Sequence, residues 1–510
     1  MSSKGQYAIL KNKLESPDFC SMELLDGWVL NYYREVPAWR SSDGRIILLG
    51  MVWQFLPEKG TPYNEAEALC RSCTGKIDRQ AVMEMEESWC GQYLLICEGE
   101  LYSDACALFP VFYSKLGVSS DCTLLAQLSG GTRKNYEVPQ GRIMNWMPGP
   151  LTQYDDVRRM LPSQTYCYTT GQISSRQLLA EHYSGIADEK ERLERIIACF
   201  DYSLKQMQQV IPGYKMLVAI TGGHDSRTLL ALAKHAGIEF DAFTLWHEEI
   251  YEDDLAVPKK LCSAAGITHH EIPRQEKPDV DARVAEYMDH ISGQVHDADR
   301  LYYAHRQFEP LVQQFGKVAL LRSGVWPNVM EWYRRSFTAE GAGFDFYDWF
   351  GAEKGSLEEK SLQEYFAWHK SHPQKGLSPC NVFYWDQRNG CWLSAIEKGF
   401  DLIDNVVSLQ PANCRYLMSM LMEFPEEERI INHHQYKIVE KACPVMAAIP
   451  YGTHKLQDKT KTQELKEKLL RGIHRLHKLG LRKTAKTYYT MISTKRQEAR
   501  MLKKQGRGKE

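Results

Sequence analysis

The residues Thr221-Gly-Gly-His-Asp-Ser226 have the types and spacing best suited to chemistry in this 510-residue chain. Two adjacent glycines let a ligand approach the backbone closely. Asp225 offers a carboxylate to a hard cation, and Thr221 and Ser226 offer hydroxyls. A helix starting at this point would add unpaired N–H groups and a partial positive charge, which together favour an anion. The combination suits a polyphosphate carried with a divalent cation. Two other phosphate loops are excluded, because the chain has neither G-x-x-x-x-G-K-[ST] nor a strand-linked G-x-G-x-x-G. The plainer alternative is an ordinary strand–turn–helix junction capped by Asp225 or Ser226.

The flanking segments supply the elements such a loop needs. Residues 216–220 form a short continuous apolar run, as a buried parallel strand does. Residues 228–236 carry a helical pattern that Gly237 ends. A second strand is expected over 239–245. An acidic helix start at Tyr251-Glu-Asp-Asp254 follows, running to Ala265, and a third strand over 267–273. Strand, loop, helix, strand, acidic helix, strand predicts a doubly wound α/β layout. Neighbouring residues on a strand face opposite ways, so His269 and His270 do not form a metal pair. Cys70-Arg-Ser-Cys73 lacks a second pair and reads as two ordinary thiols.

Gly-Gly-x-Asp-Ser resembles the pyrophosphate loop of ATP pyrophosphatases. With the acidic helix and Gly266-Ile-Thr-His-His-Glu271 after it, the order resembles the synthetase domain of the asparagine synthetase family. The resemblance implies an adenine-nucleotide α-hydrolase-like domain with an all-helical distal part. It also implies that ATP and Mg2+ bind at Thr221, Gly222, Gly223, His224, Asp225 and Ser226, with Leu245, Ser323 and Gly324 nearby. Asp225 would take the magnesium. Arg227 is placed either to touch the pyrophosphate or to lie exposed on the helix. The implied reaction is AMP-forming. A small-molecule carboxylate attacks the α-phosphorus, pyrophosphate leaves, and ammonia or an amine takes the acyl group.

Two places depart from the family pattern. Trp89-Cys-Gly-Gln-Tyr-Leu-Leu-Ile-Cys-Glu-Gly-Glu-Leu-Tyr-Ser-Asp104, Phe109-Pro-Val-Phe-Tyr113 and the strand-like 44–53 resemble the family's N-terminal glutaminase, an Ntn-hydrolase-like antiparallel β-sandwich with flanking helices. That glutaminase needs an N-terminal cysteine, whereas position 2 is Ser2. The implied domain is therefore degenerate, and its glutamine hydrolysis lost. After the apolar run 317–321, Arg322-Ser-Gly-Val-Trp-Pro-Asn-Val-Met-Glu331 lacks the family's acidic core. Either Glu331 stands in as catalytic carboxylate and metal ligand, or the loop has lost its metal role. Phe383-Tyr-Trp-Asp-Gln-Arg388 with Trp392 forms an aromatic and charged cluster. Lys437 lies near the position of the family's intermediate-stabilising lysine; a solvent-facing helix lysine is the alternative.

Composition sets the outer bounds. Hydrophobic residues make up 43% and charged residues 25%, as in ordinary soluble globular chains. No apolar run approaches a membrane span, no secretory leader is visible, and fourteen scattered cysteines point to a reducing cytoplasm. The net charge of −2 conceals a basic end: residues 455–510 hold 18 Lys and Arg against 5 Asp and Glu, a net +13. Leucines at helical spacing there suit peripheral membrane contact or a helix packed on its own domain. The expected organisation is 1–177 glutaminase-like, 178–455 synthetase-like, with 178–209 helical at the junction, and 456–510 a basic tail. A homodimer is compatible with it, and no nucleic acid is expected. Two other function classes stay open: a non-catalytic nucleotide-binding relative and a nucleic-acid-modifying ATP pyrophosphatase.

Overall fold

In the computed structural model, residues 5–134, 144, 146–246, 252–273, 308–332, 346–347 and 350–451 are described. Ser2, the basic tail 456–510 and the helix start at Tyr251 lie outside them. All described residues belong to one compact unit, Met1–Gly452.

The first part of the chain builds two six-stranded sheets in which every pairing is antiparallel. The long strands Ile46–Gln54 and Trp89–Cys97 pair over their whole length and are buried on both faces. Their inward residues Ile47, Leu49, Leu94 and Ile96 meet Tyr7, Ile9 and Leu30 of the other sheet in one apolar core. Their outward residues Ile46, Leu48, Val52 and Leu95 pack under the helices Pro62–Ser72 and Arg79–Glu86. A third helix, Cys122–Ser129, covers the other sheet. Helix, sheet, sheet, helix is the resulting layering, and it buries the long strands Ile46–Gln54 and Trp89–Cys97 on both faces.

The second part is mixed α/β around a five-stranded parallel sheet. Its order is His269–Pro273, Asp241–Trp246, Lys215–Ala219, Val318–Leu321, Val406–Leu409. Helices Glu189–Val210, His224–Ala236 and Glu252–Ala265 cover one face, through Met216, Val218 and Ala242. Leu217, Phe243, Val318 and Leu320 meet Leu311 and Phe400 on the other. The strand order reverses between Lys215–Ala219 and Val318–Leu321, which pair in register from Lys215 with Val318 to Val218 with Leu321. Loops leaving the carboxyl ends of those two strands therefore face one crevice, where open α/β sheets bind ligands.

The expected helix over 178–209 is shorter. It runs from Glu189 to Val210, because Asp188 caps it by accepting the Glu191 N–H at 2.7 Å. The preceding residues turn around Gly185, at φ +84°.

A buried polar seam joins the two parts. Trp53 Nε1 donates to Ser203 Oγ at 2.9 Å, and Trp385 Nε1 donates to the Ala105 carbonyl at 2.7 Å. Asn413 donates to the Gly91 carbonyl and to Asp104. At the centre of the seam, buried Glu86 accepts from Tyr93 at 3.0 Å and pairs with Arg176 and Arg415. Arg415 also donates to the carbonyls of Pro162, Gln177 and Leu178. Burial, and the positive charge of Arg176 beside it, pull the Arg415 guanidinium down to about 10, still cationic at neutral pH. Removing one partner of such a pair leaves buried charge uncompensated. Glu86→Ala is expected to destabilise the protein by about 3–5 kcal/mol, read as the shift in urea-unfolding midpoint. An unchanged midpoint would mean that the seam does not hold the two parts together.

Candidate functional site

The strand Lys215–Ala219 ends in Ile220, and the chain turns through Thr221 and Gly222 into the helix His224–Ala236. Gly223 is the N-cap residue, and no side chain caps this helix end. The N–H groups of its first turn are therefore not closed off by a side-chain cap. Among the described residues, a side chain at Gly223 would meet only Thr221 Oγ1, at 3.4 Å, and its φ is −82°. The missing side chain thus relieves no strain; it leaves the backbone approachable from outside.

Thr221 and Ser226 shape this turn. The buried Ser226 hydroxyl accepts the Thr221 N–H at 3.1 Å and shares a hydrogen bond with Thr221 Oγ1 at 3.0 Å, while Gly223 N–H donates to Thr221 Oγ1 at 3.2 Å. Thr221 is exposed at the crevice. Under the turn, Thr244 Oγ1 donates to the Ile220 carbonyl at 2.8 Å and contacts His269 Nε2 at 2.9 Å. Burial lowers the His269 pKa, favouring the neutral ring. His270 turns the other way, to Asp241 at 2.8 Å. Leu245, on the opposite face of that strand from Thr244, packs on the apolar side that holds Phe243 and Ile272.

Asp225, in the first turn, is half-buried. Its Oδ1 accepts from Gln435 Nε2 at 2.9 Å. Gln435 is fully buried on the helix His433–Ala442, and its Oε1 is also buried, with no hydrogen-bond partner among the described residues. Tyr384 lies within electrostatic reach. Burial raises its hydroxyl to about 12, with the Asp225 charge adding to the rise and the hydrogen-bonded Arg388 opposing it. Arg388 stacks over the Trp392 ring at 3.1 Å. This stretch lies in Tyr384–Leu393, ten residues of π-helix inside a longer helix, and such wide turns are frequent at functional sites.

Ser323 and Gly324 leave the neighbouring strand into the same crevice. Gly324 N–H donates to Gln410 Oε1 at 2.8 Å, and Ser323 is half-buried.

Three expectations are corrected. Arg227 is neither exposed nor turned to the crevice. It is fully buried, donating to the carbonyls of Met446, Ile449 and Pro450 and stacking 3.6 Å from the centre of the Tyr451 ring. Placed one helical turn past the N-cap, it faces the helix 444–447 rather than the loop. Lys437 is neither at the loop nor simply solvated. Its ammonium pairs with Glu189 and Glu428, both at 2.8 Å. Two residues along a helix do not share a face, so Gln435, not Lys437, reaches Asp225.

Glu331 is 1% exposed and enclosed. Its oxygens accept from Asn381 Nδ2 at 2.7 Å and Ser378 Oγ at 2.6 Å, with Arg429 at 3.9 Å. Its backbone N–H donates to Asn381 Oδ1 at 2.9 Å. Both of its oxygens are engaged at the start of the helix Pro379–Phe383. Among the described residues, no group of three His, Cys, Asp or Glu side chains could hold a metal, and all fourteen cysteines are free thiols. No described helix is long and apolar enough to cross a membrane.

Gln435 and Tyr384 were not expected near this carboxylate. The adjacent aromatic and charged run was the sequence signal for Tyr384, and nothing local marks Gln435.

No family model and no curated protein sequence matches this chain. Solved structures give partial likenesses. A glutamine-dependent NAD+ synthetase from Acinetobacter baumannii in complex with ADP is 14% identical, over 34% of this chain and 31% of that one, with a TM-score of 0.20. An NMN synthetase from Francisella tularensis is 17% identical over 39% and 92%, at 0.22. The U34-tRNA thiolase NcsA from Methanococcus maripaludis, with its [4Fe-4S] cluster, is 11% identical over 58% and 80%, at 0.21. The match thus spans about a third of the NAD+ synthetase, and superpositions this partial do not bear on substrate or site.

Gln435→Ala is expected to weaken binding of Mg-ATP at least about tenfold by calorimetry, because a buried hydrogen bond to a charged group is lost. Lys437→Ala should change it less than about twofold, since that lysine serves a peripheral ion pair. The reverse ranking would place the functional helix face at Lys437.

Proposed function

We propose that this chain is an AMP-forming, ATP-dependent ligase of the asparagine synthetase type, joining a carboxylate to ammonia or an amine. One observation supports this reading above the others. An uncapped helix start at the reversal point of a parallel sheet carries a carboxylate that a buried amide holds in place.

The turn from Thr221 to Ser226 would hold the β- and γ-phosphates with backbone N–H groups of the helix start and with the exposed Thr221 hydroxyl, the Gly223 N–H exchanging its bond to Thr221 Oγ1 for one to phosphate. Ser226 would keep the turn closed rather than touch phosphate. Asp225 would hold Mg2+, which offsets phosphate charge. Leu245, Ser323 and Gly324 would border the nucleotide across the crevice. Tyr384, within electrostatic reach of Asp225, and Arg388 beside it would face the reacting carboxylate. A carboxylate oxygen attacks the α-phosphorus, and the bond to the bridging oxygen breaks as pyrophosphate departs. The amine nitrogen then attacks the acyl carbon, AMP leaves, and the amine proton passes to water. Alignment of the reactants and preorganised donors would supply much of the rate.

The stacked antiparallel sheets fit, on this reading, a glutaminase-like domain, with Ser2 in place of the nucleophilic cysteine. Nitrogen would then come from free ammonia or from an amine on the acceptor, in a cytoplasmic setting. The enclosure of Glu331 favours one second reading, a nucleotide-binding relative without turnover.

Incubation with Mg-ATP, labelled pyrophosphate and a panel of small carboxylic acids tests the choice. Exchange of label into ATP that depends on a carboxylate is the expected result. Nucleotide binding without exchange would support the non-catalytic relative, and exchange with RNA alone a nucleic-acid-modifying enzyme. Gly223→Ala should lower exchange more than about tenfold without lowering the melting temperature, because its methyl group meets the ligand and not the protein. An equal loss of stability would assign that glycine to folding.

A further inference from the structure

A cavity of about 540 Å3 opens where the two antiparallel sheets end together. Strand Arg158–Arg159 is the edge of one sheet and Gln172–Ser175 the edge of the other. The helix Leu357–Ser371 contributes Tyr365 and Trp368 to its wall. The volume is in the range of small-molecule sites, roughly 300–1,000 Å3.

The lining divides by chemistry. Tyr113, Tyr365 and Trp368 give it an aromatic interior. These rings are held rigidly: Tyr113 stacks on Tyr166 at 4.4 Å, Trp368 stacks on His372 at 4.0 Å, and Tyr365 is 2% exposed. The Trp368 indole nitrogen is buried and has no hydrogen-bond partner among the described residues. Arg158 and Glu364 form an ion pair on the lining, with side chains 35% and 46% exposed. An exposed pair of this kind contributes little to folding, so a ligand can open it at small cost.

We propose that this cavity binds a free α-amino acid with an aromatic or large apolar side chain. Its carboxylate would lie on the Arg158 guanidinium and its ammonium on Glu364. Its side chain would fill the space between Tyr113, Tyr365 and Trp368. One positive and one negative group side by side match a zwitterion, and neither a simple acid nor a simple amine satisfies both. Planar rings match an aromatic side chain through offset or edge contacts. The site is separate from the nucleotide loop and does not depend on it.

Full-length protein, without nucleotide, is to be titrated with L-phenylalanine by calorimetry and equilibrium dialysis. Expected is saturable binding of one equivalent. Phenylalaninamide, which lacks the carboxylate, and 3-phenylpropionate, which lacks the ammonium, should each bind at least about tenfold more weakly. Arg158→Gln and Glu364→Gln should each lose at least about tenfold in affinity with unchanged melting temperature, both side chains being part-exposed. Trp368→Phe should weaken binding less, because it keeps a ring and removes one donor. The inference is overturned by absence of binding at millimolar phenylalanine, by full affinity in both charge variants, or by binding that requires Mg-ATP. The last result would put the amino acid in the nucleotide crevice.

Discussion

The contact between Gln435 and Asp225 is the one on which the candidate site depends. A carboxylate in the first turn of a helix is favoured by the dipole but free to rotate. Here a fully buried amide fixes one of its oxygens. The segment carrying that amide is fixed in turn from the same helix. Arg227, two residues after Asp225, donates to three carbonyls at 446, 449 and 450. Tyr451 stacks on Arg227 and also on His224, whose ring centre lies 3.9 Å away. Burial lowers the Arg227 pKa, yet its three acceptors and the Tyr451 face stabilise the cation. Residues 224–227 and 435–451 therefore hold each other, and the loop inherits its rigidity from that closure.

The second constraint is the seam between the sheet systems. The helix that begins at Pro379 crosses it, widening over Tyr384–Leu393. Successive residues of that wide turn serve different neighbours. Trp385 donates to Ala105, and Asp386 accepts from Ser163 at 2.7 Å and contacts His369 at 2.9 Å. Gln387 exchanges two hydrogen bonds with Gly149, and Asn389 donates to Asn328 at 2.6 Å. Nearly all these groups are buried, where satisfied polar networks specify one arrangement and unsatisfied ones are costly. Tyr384 thereby reaches the Asp225 region from a helix anchored in the antiparallel sheets. The site is built by both parts of the chain.

Sequence patterns exposed the local features of this arrangement. The apolar run before Thr221, the paired glycines and the stop at Gly237 each depend on neighbours in sequence; the strand appears within a residue of expectation and the helix ends where expected, though it begins at His224, ahead of the pattern that starts at 228. The same holds for the long strands at Ile46–Gln54 and Trp89–Cys97. Side-chain destinations were not legible, because contacts with residues distant in sequence decide them. Arg227 is a helix arginine by composition and a buried clamp by tertiary packing. Lys437 and Gln435 sit on one helix, and only its rotation against the loop helix selects between them. Glu331 was the nearest carboxylate in sequence, but Asn381 and Ser378, about fifty residues later, enclose it.

The central claim is that the uncapped turn at Gly223 receives the terminal phosphates of ATP while Asp225 holds their cation. A crystal structure of the full chain with Mg2+ and an ATP analogue blocked between the α- and β-phosphates tests it most directly. The account predicts terminal phosphates against the N–H groups of Gly223, His224 and Asp225, with the metal on the Asp225 carboxylate and Gln435 still bound to Oδ1. A nucleotide seated elsewhere, or a metal held without Asp225, would contradict it.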